Sequence, residues 1–241
     1  MIIFFILLGL SIGSFLNVVI LRMPENKSIA HPSSHCPKCH KSLKWYHNIP
    51  FFSWLFLGGK CAYCKGKISI QYPLIEILCS LIFAFCFLKQ GHLLSSIIYG
   101  TLFSALLALS VIDLRYKAVP DNLSIPTMLL AFFANPPLFT LKYGLLFAGG
   151  FALLRMIVSF LIKKEAMGEA DIIIAAIIGS VLGLKLGLVA IYISALISLP
   201  IFFIVRKKDF ELPFIPFLVL GLAISYAFDD QLLELLGKWY G

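Results

Sequence analysis

Two aspartates, Asp113 and Asp171, stand at the ends of uncharged hydrophobic runs. An ionised carboxylate beside lipid is costly, so acids at such places are kept for chemistry or for carrying ions. Two apolar stretches, residues 123 to 141 and 143 to 162, lie between them. A chain leaving the bilayer at Asp113 crosses out and back before Asp171, which puts both carboxylates on one side.

A second group of reactive side chains lies nearer the N-terminus. Cys36-Pro-Lys-Cys39 and Cys61-Ala-Tyr-Cys64 form two CxxC pairs with 21 residues between them, close to the spacing of four-cysteine zinc sites. Four thiolates close a tetrahedral shell and leave no open position, so the expected zinc folds the loop and takes no part in catalysis. His31, His35, His40 and His47 lie nearby; any could replace a cysteine, but the spacing favours the four thiols. Trp45, Phe51, Phe52 and Trp54 of the same loop are expected to pack the metal module or to rest at the membrane interface.

The elements that must carry these groups are membrane spans. Hydrophobic residues make up 60% and charged residues 13% of the 241, with a mean hydropathy of +0.96. So little polar surface cannot cover a water-facing globule. At about 20 apolar residues per span, the sequence predicts an all-α polytopic membrane protein of about eight transmembrane helices. The candidate runs are residues 2–21, 72–88, 93–112, 123–141, 143–162, 171–184, 186–205 and 212–228. The implied domains are a first span (1–21), a zinc-binding loop module (22–71) and a membrane core (72–241). The first run has no positive flank and no small-residue cleavage site, so it reads as a retained span. Residues 123–134 and 171–182 are short for a full crossing, which predicts a recessed, wet cleft beside the two aspartates.

Charge sets the orientation. Residues 22–71 hold eight of the 20 basic residues; Arg115 and Lys117, Lys163 and Lys164, and Arg206 to Lys208 bring that side to fifteen. Cytoplasmic loops retain positive charge, so the N-terminus is expected outside, with the cysteine loop and both aspartates facing the cytoplasm. There the thiols stay reduced, which disfavours disulfides. Topology also accounts for the net charge of +8; no basic, aromatic-interleaved motif for nucleic acid is present.

Within the first run, Gly9 and Gly13 form a GxxxG pair, and Ser11, Ser14 and Asn17 recur every third residue, as on a helix-packing face. Cys79 and Cys86 read as buried packing groups. Among competing acids, Asp121 follows Pro120 and is expected to cap a helix. Glu165 and Glu169 read as solvated. Glu76, inside the second run, invites a functional role, although a lysine or arginine of the cysteine loop could be its partner.

Taken together these residues resemble the type IV prepilin peptidase family. The resemblance rests on Gly13-Ser-Phe-Leu-Asn-Val-Val-Ile-Leu-Arg22-Met-Pro24, the two cysteine pairs, Asn48-Ile-Pro-Phe-Phe-Ser-Trp-Leu57, Ile68-Ser-Ile-Gln-Tyr-Pro73 with Glu76, Asp113-Leu-Arg-Tyr-Lys-Ala-Val-Pro-Asp121, and Gly168-Glu-Ala-Asp171. It implies a membrane aspartic endopeptidase with Asp113 and Asp171 as the catalytic pair. It also implies prepilin or pseudopilin substrates cleaved on the cytoplasmic side of the bacterial inner membrane, and N-methylation of the product from S-adenosylmethionine. Two neighbouring carboxylates do not readily both ionise and so share a proton, one activating water while the other polarises the scissile carbonyl. The chain departs from the family at Ala170, where a glycine is usual, and at Ile173, where a lysine is frequent. No glycine-rich dinucleotide fingerprint marks a cofactor site. Two other classes fit paired membrane acids or a metal module alone: an ion-coupled transporter and a non-catalytic assembly scaffold.

Overall fold

A computed structural model describes residues 1–163, 167–205 and 213–240. Lys164, Glu165, Arg206, Lys207, Lys208 and the first residue of the last apolar run, Leu212, lie outside the described residues. The described chain is helical, without named strands, and divides into two compact units, Met1–Ala108 and Leu109–Gly241.

The first unit is built on α1 (Ile2–Arg22) and α3 (Gln71–Gln90). Lipid gives no hydrophobic drive for two apolar helices to associate, so close packing must hold them. Gly9 and Gly13 provide it: a Cβ at Gly9 would stand 2.6 Å from the Cys79 carbonyl oxygen, and one at Gly13 would stand 2.6 Å from Glu76 Cα. Phe5, Ile20, Ile75, Cys79, Phe83 and Cys86 are buried around this contact, and Phe5 stacks on Phe87 with ring centroids 4.5 Å apart. The Asn17 amide donates to the carbonyls of Tyr72 and Gly13 at 3.0 and 3.2 Å. Between these helices lie a short helix α2 (Phe52–Phe56) and the cysteine loop. The start of α4 (Leu93–Tyr116) also belongs to this unit.

The second unit contains the end of α4, then α5 (Asp121–Phe132), α6 (Pro137–Ile162), α7 (Glu169–Val205), α8 (Ile215–Ala227) and α9 (Asp229–Tyr240). The long α7 is broken at Gly183, where φ is 70° and ψ is −166°, a conformation that is essentially glycine's alone. Asn135 lies in the α5–α6 connection, and its amide donates to the carbonyls of Ser180 and Val181, both at 3.0 Å. The oxygens exposed by the break thus keep partners, as backbone in lipid requires.

Among the described residues five helices are long and apolar enough to cross a membrane, or six if α8 and α9, bent by 81°, count as one span. With the eight apolar runs this describes a multi-pass membrane protein. The run 123–141 is divided: α5 ends at Phe132, and α6 begins at Pro137 after an extended Pro136, because tandem prolines cannot continue a helix. The runs 171–184 and 186–205 are the two halves of the broken α7. At 12 residues α5 is about 18 Å long, well short of a crossing. Outward residues of the spans are bare and apolar, including Phe160 and Ile204, each 83% exposed, as a lipid-facing surface demands.

Candidate functional site

Three helix ends of the second unit meet around the two aspartates. Asp113 lies in the last turn of α4, 7% exposed, and its Oδ2 accepts the backbone N–H of Ile215 at 3.3 Å. Ile215 opens α8, with Pro216 in the first turn, so the carboxylate faces a helix N-terminus, whose free N–H groups favour anions. Asp171 lies in the first turn of α7, 8% exposed. Its Oδ2 accepts the N–H of Gly168 at 3.1 Å, the reach-back of a capping box. The carboxylates are close enough for the charge of Asp113 to act on Asp171. The backbone donors left no mark on the sequence beyond Pro216, whose place just inside a helix start could have flagged Ile215.

The neighbouring expectations divide. Ala170 is helical and does not have positive φ, so alanine fits where a glycine is usual. Asp121 is not a capping side chain: Pro120 is the N-cap of α5, no side-chain cap bond forms, and Asp121 is an exposed first-turn residue. Glu169 is 83% exposed and pairs with Arg155 of α6 at 3.4 Å. Glu76 has another environment than a basic partner. It is 5% exposed and accepts the Phe51 N–H at 2.6 Å and the Ser14 hydroxyl.

The cysteine loop closes into a four-thiol cluster. In the first knuckle the Cys36 N–H donates to Lys41 O and the His40 N–H to Cys36 O; in the second, Cys61 N–H donates to Gly66 O and Lys65 N–H to Cys61 O. His40 and Lys65 both take φ near 57°, so the two knuckles repeat one backbone design. The four sulfurs lie within 4.8 Å of one another, and Cys36 and Cys64 Sγ are 3.8 Å apart. A tetrahedron with Zn–S of about 2.3 Å has edges of about 3.8 Å, so the cluster could hold a metal ion. No histidine belongs to it among the described residues, and all six cysteines are free thiols. Burial raises the Cys36 thiol, but the Cys39 and Lys38 N–H groups and the Cys61 and Cys39 thiols outweigh it and bring its pKa to about 6. Cys39 is lowered by the Lys41 N–H, yet burial and the Cys36 and Cys64 sulfurs carry it to about 11. The cluster thus favours at least one thiolate near neutral pH. Trp45 is 80% exposed, whereas Trp54 packs beneath Gly59 in the module.

Comparison with known proteins gives a consistent picture. Residues 7–90 match the bacterial peptidase A24 N-terminal domain, and residues 100–203 match the type IV leader peptidase family. A prepilin leader peptidase/N-methyltransferase of Myxococcus xanthus is 38% identical over 75% of this chain, which spans 56% of that relative's length. A type 4 prepilin-like proteins leader peptide-processing enzyme of Escherichia coli is 38% identical over 88% of both chains. A prepilin leader peptidase/N-methyltransferase of Xanthomonas campestris is 35% identical over 94% of this chain and 91% of its own. No solved structure matches. With residue identity at this level running nearly end to end in two relatives, and with both family regions in order along the sequence, the chain belongs to the type IV leader peptidase family.

Proposed function

We propose that the chain is a membrane aspartic endopeptidase. It removes the leader peptide of a type IV prepilin or pseudopilin on the cytoplasmic side of the bacterial inner membrane, then N-methylates the new terminus. The observation that carries the peptidase reading is the meeting of Asp113 and Asp171: two buried carboxylates from distant parts of the sequence, each given one backbone N–H, with Asp113 near enough for its charge to act on Asp171. In this reading the ionised member takes a proton from water while the protonated member donates a hydrogen bond to the scissile carbonyl. The titration then belongs to the pair. Residues 22–71 serve as a zinc-held module and residues 72–241 as the peptidase core. S-adenosylmethionine supplies the transferred methyl group.

A transporter would hold its acids in a proton or ion relay, and a scaffold would have no use for them. Purified protein incubated with a prepilin separates these classes. Leader removal by wild type, with a fall of about 100-fold or more in Asp113→Asn and in Asp171→Asn at unchanged helical content, is the expected result. Cleavage untouched by both substitutions would reject the mechanism.

A further inference from the structure

The second knuckle of the cysteine loop brings two positive charges together. The Ile68 N–H donates to Gly59 O at 2.8 Å and the Cys61 N–H to Gly66 O at 2.9 Å, so Lys60 and Lys67 face each other in an antiparallel bridge. These bonds lie on either side of the two lysines, which makes them the non-hydrogen-bonded kind of pair, whose side chains stand closest. Like charges directly opposite each other destabilise such a pair. Both lysines are exposed, and among the described residues neither has a carboxylate within ion-pair distance. Glu25, the one acid of residues 22–71, is bound to Lys27. A repulsion that the backbone builds in and no side chain answers suits an anion from outside the chain.

An apolar face adjoins the pair. Phe52, Leu55 and Phe56 of α2 are spaced to share one side of a helix and are exposed, Phe56 by 84%. Trp54 packs against Gly59, where a Cβ would stand 2.9 Å from its ring. The N–H groups of Gly59 and Lys60 donate to Trp54 O and Leu57 O at 2.9 and 3.2 Å. The helix and the lysine bridge are thus one piece. Apolar side chains beside cations match a membrane surface, where phosphates attract the lysines and the acyl border takes the rings. The chain also keeps this piece close to such a surface. Lys67 stands four residues before α3, a helix long and apolar enough to cross a membrane, so it lies at most about 14 Å from the start of that span. Ile70, at the junction, is exposed as well. We propose that α2 and the Lys60–Lys67 bridge form a docking surface for anionic phospholipid, the two ammonium groups clamping a headgroup phosphate while Phe52, Leu55 and Phe56 enter the acyl border. It requires only the membrane setting and so stands apart from the peptidase and methyl-transfer readings.

Hydrogen exchange of the purified full-length protein in lipid nanodiscs tests it, with discs of phosphatidylcholine alone compared with discs of phosphatidylcholine and phosphatidylglycerol in equal parts. Backbone exchange across residues 52–68 is expected to be about tenfold slower in the anionic discs. Lys60→Gln with Lys67→Gln should abolish that difference, whereas Lys60→Arg with Lys67→Arg should keep it, because the charge is retained. Leu55→Ser with Phe56→Ser should shrink it at least threefold through the apolar half of the surface. Equal exchange of the wild type in the two kinds of disc, or a difference that survives the loss of both lysines, would overturn the proposal. Loss of zinc from the lysine-to-glutamine variant would assign the pair to the metal cluster and overturn the clamp. Inorganic phosphate that reproduces the protection in neutral discs would make the ligand a free anion. Protection that appears only in discs loaded with two copies would make the face a contact between copies of this chain, and either result would overturn the lipid assignment.

Discussion

Each aspartate is held by a backbone N–H at the start of a helix, Gly168 before α7 and Ile215 opening α8. Backbone donors hold a carboxylate without adding a competing cation, as the proposed proton-sharing pair requires. The same economy operates at Gly13, where the missing side chain lets α1 approach Glu76 Cα and brings the Ser14 hydroxyl onto that carboxylate. Gly13→Leu is expected to force α1 and α3 apart. The cost should be about 1–3 kcal/mol by analogy with overpacked cores, read as a lowered thermal midpoint in detergent. An unchanged midpoint would show that the two helices are not in close contact.

At the scale of elements, two devices carry structure that residue types alone would not. The break in α7 needs glycine's φ of 70° and the carbonyl partners supplied by Asn135. Gly183→Ala would meet both the strained φ and the Phe139 ring, 2.7 Å from the added carbon. A loss of about 1–3 kcal/mol should appear in thermal unfolding, and wild-type stability would mean that the helix runs on without a break. Asn135→Ala should cost about 1–3 kcal/mol through its two unpaired carbonyls, by the same measurement. The cysteine module is the other device. Its few short-range hydrogen bonds cannot fold a loop of this length alone, so its order is expected to depend on the metal. Metal analysis should give one zinc per chain, absent in a Cys36→Ser, Cys61→Ser double variant. A strong chelator should make residues 22–71 sensitive to protease while the helical signal persists. Zinc bound undiminished in the double variant would dismiss the four-thiol site.

For the whole molecule, the charge distribution makes a topological statement. On the topology read from the apolar runs, fifteen of 20 basic residues belong to the side of the cysteine loop, so that side is expected in the cytoplasm and the N-terminus outside. Reporter fusions after Lys67 and after Lys89 check this: a cytoplasm-active reporter should work at the first site and a periplasm-active one at the second. The opposite pattern would invert the orientation and move the proposed cleavage to the other face of the membrane.

Hydropathy and the two CxxC pairs were enough to predict a helical membrane protein with a four-thiol cluster that could hold a metal ion, and the aspartates at the ends of apolar runs marked the proposed acid pair. These depend on residue type and spacing, which a linear reading preserves. Where helices stop was legible only in part: Pro136-Pro137 and Gly183 announced breaks, but not that Asn135 would bridge them. Asp121 looked like a cap and is not one, because the preceding proline already occupies the N-cap position. The partners of Glu76 are a hydroxyl and a peptide N–H brought from 62 and 25 positions away. Only the tertiary structure decided such contacts, because a backbone N–H is present at nearly every residue and becomes specific solely through the packing that aims it.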